Sequence, residues 1–441
     1  GASSSNGTIL WTHNGAGTLT NVTTLSPTYT SVAGDAGHTV TLTMTVTNSP
    51  CTAASATYSV VVVADPSISS QPAGATICSG GTHTMSVAAA NGTGTYTYQW
   101  QSNTTSCSGT WANVSGGSGA TTASYTTPAL TGTTYYRCLV GASGVGCTTL
   151  ASNCATVTVV ADPSLSAATR TNAVICSGGS SVFSSTLSNG TGTVTYQWQY
   201  SPDNTTWSSV AAGTPAGATY TNPTTTSMTI GGISATGTYY YRLSATSTGS
   251  GCTTPVYSAS ATLQVVASPT VGTQPSTPAT ICVGGTSANM TVAGSGGTGS
   301  FSYQWQYNNG GTWGNVSNGT PAGSTYTGGS TATFSVAGIS TAGTYQYRCM
   351  ISQNGSGCAT LTSNTVNVTV VADPSLSAAT RTNAVICSGG SSVFSSTLSN
   401  GTGTVGYQWQ YSADNTTWSN VVAGTPAGAT YTNPTTTSMT I

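Results

Sequence analysis

Apolar and polar residues alternate along much of this chain. "TVTLTMTVT" at 39–47, "SATLQVV" at 260–266, "TATFSV" at 331–336 and "NTVNVTV" at 364–370 place Val, Leu, Met or Phe at every second position. Period two puts those side chains on one face of a strand, and Thr, Val and Tyr suit a pleated, half-buried surface. Gly, Asn, Pro and Ser fill the intervals as turn residues. No apolar run approaches the 18 or more residues of a membrane helix, and nothing reads as helix. The pattern predicts an all-β chain.

The alternating runs recur in long units. Residues 161–230 and 372–441 differ only at Thr195/Gly406, Pro202/Ala413, Ser209/Asn420 and Ala211/Val422. Looser copies place "ICSGG" or "ICVGG" at Cys78, Cys176, Cys282 and Cys387, spaced 98, 106 and 105 residues apart. Each cysteine is followed 22 or 23 residues later by the tryptophan of "YQWQ", at Trp100, Trp198, Trp305 and Trp409. A period near 100 residues is a domain, too long for one turn of a solenoid. The expected units are a partial domain at 1–64, complete domains at 65–162, 163–268 and 269–373, and a partial domain at 374–441. The chain reads as a window on a longer array, with the first unit lacking its N-terminal part and the last its C-terminal part.

Composition narrows the partners. Among 441 residues there are 5 Arg, no Lys, 6 Asp and no Glu, so 2% of the chain is charged and the formal net charge is −1. Ordinary domains carry roughly 25% charged residues. A surface without Lys and with so few Arg cannot hold a phosphate backbone, which excludes nucleic acid, and no segment here inserts directly into a membrane. The regular Val, Tyr and Trp positions give each unit a core that a disordered Ser/Thr/Gly chain lacks.

Cysteine placement points to an oxidising compartment. Each complete unit carries one cysteine in "IC(S/V)GG" and another in a "GxGC" turn: Cys78 with Cys147, Cys176 with Cys252, Cys282 with Cys358. Repetition at fixed places predicts a disulfide within each unit, in a chain that is extracellular. Loops of 70 to 77 residues closed this way would contribute about 4 kcal/mol each. The competing reading is a set of reduced, buried thiols. Cys51 and Cys387 are expected to pair beyond the window, and Cys107, Cys138, Cys154 and Cys349 have no assigned partner. No CxxC pair occurs, and His13, His38 and His83 do not cluster with the cysteines, so neither a metal nor a cofactor is expected.

Within a unit, about seven strands in roughly 100 residues fit a two-sheet sandwich. In "YQWQ" the tyrosine and tryptophan face one side, which makes Trp100, Trp198, Trp305 and Trp409 core residues. A second tryptophan follows a short turn (Trp111, Trp207, Trp313, Trp418). It is assigned to hairpin packing, with stacking on a glycan as the functional alternative. Arg137, Arg242 and Arg348 lie opposite the Tyr face of the "YR" strand, where a backbone carbonyl or an outer aromatic would hold them. "GTYYYRL" and "GTYQYRC" resemble the tyrosine corner of immunoglobulin-like domains, although the usual inter-sheet bridge is absent and Leu243 stands where Cys138 and Cys349 do.

Through "CSGG", "YQWQ", "GxYxYR", "GxGC" and the terminal "VVADP", the whole chain resembles the tandem immunoglobulin-like and PKD-like repeats of giant surface adhesins of Bacteroidota, including gliding-motility adhesins exported by type IX secretion. The resemblance implies a cell-surface, extracellular filament or stalk involved in cell adhesion, without catalytic residues. Partners would be other domains of the same long chain, with a surface polysaccharide or neighbouring filament chains as further candidates.

Junctions read "VVADPSI", "VVADPSL", "VVASPTV" and "VVADPSL", with Pro66, Pro163, Pro269 and Pro374 restricting the backbone. An extended, semi-rigid string of domains is expected. Asp65, Asp162 and Asp373 offer one carboxylate per junction, and Ser268 replaces the third of the series, so turn formation is favoured over Ca²⁺, which wants six to eight oxygens. Sequons such as Asn91, Asn103, Asn189 and Asn400 make a glycoprotein a further expectation. The six Asp include no acid/base pair of the kind glycoside hydrolysis requires, and an enzyme is not expected. Three readings stand: a non-enzymatic spacer in a secreted adhesive filament, a carbohydrate-binding array, or a structural filament subunit.

Overall fold

A computed structural model describes residues 6–441. Among these residues there is no α-helix, only strands and a single 3-10 turn at Ala33–Asp35. The unit containing Trp198 is typical. One sheet runs, in spatial order, Val174–Cys176, Ala261–Val266, Gly237–Ser247, Val194–Ser201 and Ser208–Ser209, with Val256–Tyr257 also on the long central strand. The facing sheet is Thr169–Arg170, Ser180–Ser184, Ser227–Gly231 and Thr219–Thr221. Inward-pointing residues of both sheets form the core: Trp198, Tyr241, Leu243 and Leu263 from one, Phe183, Met228 and Ile230 from the other. The units around Trp100 and Trp305 repeat the larger sheet strand for strand.

The repeated tryptophan is the centre of each core. Trp100, Trp198 and Trp305 are fully buried. A buried indole needs a partner for its N–H, and each donates Nε1–H to a backbone carbonyl across the core, at Thr122, Thr225 and Thr331, over 2.9–3.0 Å. Trp409 makes the same bond to Thr436, 2.8 Å, but is only half-buried. The long central strand that covers Trp198 has no counterpart in residues 374–441. Directly across the sheet from these rings stand Cys138, Leu243 and Cys349, which explains why Leu substitutes for Cys there: both are small-to-medium apolar fillers beside the indole.

The tyrosine corner is present in two units. Tyr239 donates its hydroxyl proton to the carbonyl of Ala235 at 3.0 Å, and Tyr345 to that of Thr341 at 2.8 Å. In the first complete unit Thr134 takes the position of Tyr239, and its hydroxyl reaches only Gly132. Residues 6–62 form a different piece: a three-stranded sheet of Thr8–His13, Thr39–Asn48 and Cys51–Val61, with a hairpin of Thr18–Thr20 and Thr28–Thr30. Buried Asp35 ties it together, accepting from Ala16 N–H, Val32 N–H and the Tyr29 hydroxyl.

Strand direction fixes two poles on every sandwich. The strand ending at Cys176 pairs in parallel with Ala261–Val266, Cys176 lying opposite Val266, the last strand residue before the next unit. Cys78 pairs opposite Val160 and Cys282 opposite Val371 in the same way. These cysteines therefore close their strands and lie at the exit pole. Gly237–Ser247 runs antiparallel to Ala261–Val266, so the "GSGC" turn that follows it lies at the entry pole. Eleven strand residues span roughly 35 Å.

Candidate functional site: the junction clasp

The two-pole geometry overturns the expected pairing within units. Cys176 and Cys252 occupy opposite ends of one sandwich, far beyond the Cα separation of about 4.4–6.8 Å that a disulfide allows. Instead Cys78 bonds to Cys252 of the next unit, Cα–Cα 4.8 Å, and Cys176 bonds to Cys358 of the one after, Cα–Cα 5.0 Å. Each "CSGG" thus meets the "GSGC" of its successor. Cys147 and Cys282, expected to be bonded within their units, have no disulfide partner among the described residues, and the same holds for Cys51 and Cys387. Cys107 and Cys154 bridge within the first complete unit, while Cys138 and Cys349 stay buried and reduced.

The backbone around each bridge is fitted to it. Cys78 N–H donates to Ser250 O at 2.9 Å. The Ser250 hydroxyl accepts from Thr82 N–H at 3.0 Å and donates to Thr82 O at 2.8 Å, so one serine closes a reciprocal pair across the junction. The next clasp repeats this. Cys176 N–H donates to Ser356 O at 2.8 Å, and Ser356 Oγ accepts from Ser180 N–H at 2.8 Å and donates to Ser180 O at 3.0 Å. Gly251 has φ +76° and packs on Gly81, and Gly357, φ +77°, packs on Gly179. A Cβ on either would lie within 2.4 Å of the opposing glycine's backbone, which leaves no room for a side chain. These contacts account for the second glycine of "CSGG" and for the serine and second glycine of "GSGC".

Two further contacts brace the connection. At Asn91–Gly92 and Asn189–Gly190 both φ angles are positive, the geometry of a tight hairpin turn. Gly92 N–H then donates to Ala64 O and Gly190 N–H to Ala161 O, strapping the linker that arrives from the preceding unit. Pro66, Pro163 and Pro269 are buried there. Asp162 accepts from the Thr253 hydroxyl at 2.9 Å, directly beside Cys252, and so serves the clasp. Among the described residues no group of three or more His, Cys, Asp or Glu could hold a metal ion.

The outer tryptophans are stacked under arginine. The Arg137 guanidinium lies 4.7 Å from the ring centre of Trp111, Arg348 lies 4.3 Å from Trp313, and Arg242 lies between Trp207 (4.3 Å) and Tyr257 (4.1 Å). Gln101, Gln199 and Gln306, directly opposite on the neighbouring strand, accept from each arginine Nε at 2.8–2.9 Å. Burial holds the Arg242 guanidinium below its ordinary pKa, partly offset by Tyr257. One face of each ring is therefore covered by a cation. Trp418 is 52% exposed. Asn103, one of the sequons, is buried and hydrogen-bonded to Ser106 O and to Thr105.

Comparison with known proteins places the repeats. A family model described as "Domain of unknown function (DUF8696)" matches residues 68–161, 166–267 and 271–372. No curated protein matches the chain. Among solved structures, an E-to-A variant of titin domains I67–I69 is 13% identical with a TM-score of 0.31, covering 69% of this chain and 98% of that one. Sidekick-1 immunoglobulin domains 1–5 are 12% identical, TM-score 0.34, covering 83% and 74%. Drosophila OTK extracellular domains 3–5 are 13% identical, TM-score 0.26, covering 69% and 97%. The sandwich assignment rests on the strand pairing of this chain.

Proposed function

This chain belongs to the DUF8696 family, and on that footing we propose that it is a non-enzymatic, extracellular segment of a stalk that spaces or presents the adhesive regions of a large surface protein. The observation that carries this reading is the pair of bridges between successive units, Cys78–Cys252 and Cys176–Cys358. A binding array of independent modules needs no covalent tie from one module to the next. A stalk that must keep its units in register gains stiffness from it. Disulfides between units also favour an oxidising exterior over the cytosol. The low-charge surface, repeated without a repeated polar cluster, favours spacing over ligand recognition.

The finer reading is a surface adhesin of the Bacteroidota gliding-motility type, exported by type IX secretion, with the chain-internal domains as its first partners. It is supported by the "CSGG", "YQWQ" and "VVADP" motifs of the sequence. The sugar-binding alternative draws less support, because arginine occupies a face of Trp111, Trp207 and Trp313. Immunogold electron microscopy of the source organism, with antibody against residues 161–267, tests the proposal. Label spaced along fibres that project from the cell is the expected result. Label confined to bound polysaccharide substrate would reject the stalk.

A further inference from the structure

The order of the bonded cysteines along the chain has a mechanical consequence. It runs Cys78, Cys176, Cys252, Cys358, and the bridges join the first to the third and the second to the fourth. The two covalent loops interleave, with separations of 174 and 182 residues. Every backbone bond between Cys78 and Cys358 is consequently bypassed by at least one sulfur bridge. Between Cys176 and Cys252 it is bypassed by two.

We propose that the array is a covalently redundant cable, in which tension crosses each clasped junction by two routes, the backbone linker and the disulfide beside it. This deepens the stalk reading and rests on it. Force entering at Cys78 passes directly to Cys252, so opening the sheets between them adds no length beyond what the bridge permits. From Cys252 the load reaches Cys358 either along the backbone or back through Cys176 and its bridge. A hydrogen-bonded sandwich alone would yield its whole contour when unfolded, at up to about 3.5 Å per residue. A single proteolytic or mechanical break at either clasped linker would leave the rod in one piece.

The chain supplies its own test, because it has five arginines and no lysine. Arg170 is exposed and lies between Cys154 and Cys176, just past a linker. After limited trypsin digestion of the full native chain and thiol blocking, a molecule cut at Arg170 is expected to migrate as one species without reductant. It should part into 1–170 and 171–441 only when reduced. Separation of residues 1–170 from residues 171–381 without reductant would overturn the proposal, whether or not exposed Arg381 is cut as well.

Should the strand around Arg170 resist trypsin, complete digestion after denaturation without reductant decides the same point by mass. Fragment 1–137 should be linked to 243–348 and, through Cys107–Cys154, to 138–170, while 171–242 is linked to 349–381. A link between 171–242 and 243–348 would mean bridges within units, and no second route. Either gel or mass result stands apart from where antibody falls on the cell, so loss of the cable and loss of the stalk are separate outcomes.

Discussion

Gly251 lies against Gly81 of the preceding unit so closely that a Cβ on Gly251 would sit 2.2 Å from the Gly81 backbone nitrogen. Backbone cannot retreat as a side-chain tip can, and φ at Gly251 is +76°, which alone costs an L-residue roughly 1–2 kcal/mol. Gly251→Ala is therefore expected to hold the two units apart and to lower the yield of the Cys78–Cys252 bridge several-fold on oxidative refolding. Gly146→Ala is the control. It has a similar φ, +82°, but open space around the Cβ, so it should show the conformational cost without a change in bridging. Quantifying the linked tryptic fragments of both variants checks this.

Free cysteines should divide by burial. Burial pushes the thiols of Cys138 and Cys349 up to about 11, with backbone hydrogen bonds from Gln99 and Gln304 offsetting part of the rise. The thiolate is the reactive form, so at pH 8 both are doubly protected, by access and by protonation. Iodoacetamide on the unreduced chain of residues 1–441 should label Cys51, Cys147, Cys282 and Cys387 and spare Cys138 and Cys349. Labelling of Cys78 or Cys252 would show an open clasp.

Much of this architecture was legible in the sequence. Period two marked the strands, and the spacing of Trp100, Trp198 and Trp305 marked the cores, because an indole between sheets leaves a residue-level signature. The cysteine partners were not legible from repetition alone. Any period of about 100 residues is equally consistent with bonds inside a unit or between neighbours, since both put one cysteine of each kind in every repeat. What separates them is the parallel pairing of Val174–Cys176 with Ala261–Val266, a contact between the two ends of a unit that no local pattern encodes. Likewise the arginine over Trp207 depends on Gln199 and Arg242 falling in register across two strands. The glycines and serine of "GSGC" were the available signal, since four specified residues in a turn ask for a close partner.

The two tryptophan sets should differ in their cost to stability. Trp198→Ala removes a fully buried ring and leaves Thr225 O without its indole donor, for an expected loss of about 3–5 kcal/mol in that unit. Trp207→Ala takes away a half-exposed ring and one side of the Arg242 stack, while Tyr257 keeps the other. Its expected cost is about 0.5–1 kcal/mol. Urea denaturation of the two variants under oxidising conditions measures the difference. Equal losses would mean that the outer ring, too, belongs to the core.

Acid should act through two equivalent turns. Backbone N–H groups of Thr206 and Thr205, with the Ser201 hydroxyl, hold the Asp203 carboxyl far below the usual carboxylate range. Thr417 and Thr416 do the same for Asp414. A folded-state pKa depressed below the unfolded value of about 3.9 gives stability that is present above that value and is lost as pH falls through the folded pKa. Melting should therefore be flat from pH 8 to about pH 5 and decline below about pH 4. In Asp203→Asn the amide oxygen can still accept, but the charge is gone, so the variant should start lower at pH 7 and lose less on acidification. The gap between the two melting curves would narrow as pH falls below about 4; parallel curves throughout would assign the acid sensitivity to Asp414 or Asp35 instead.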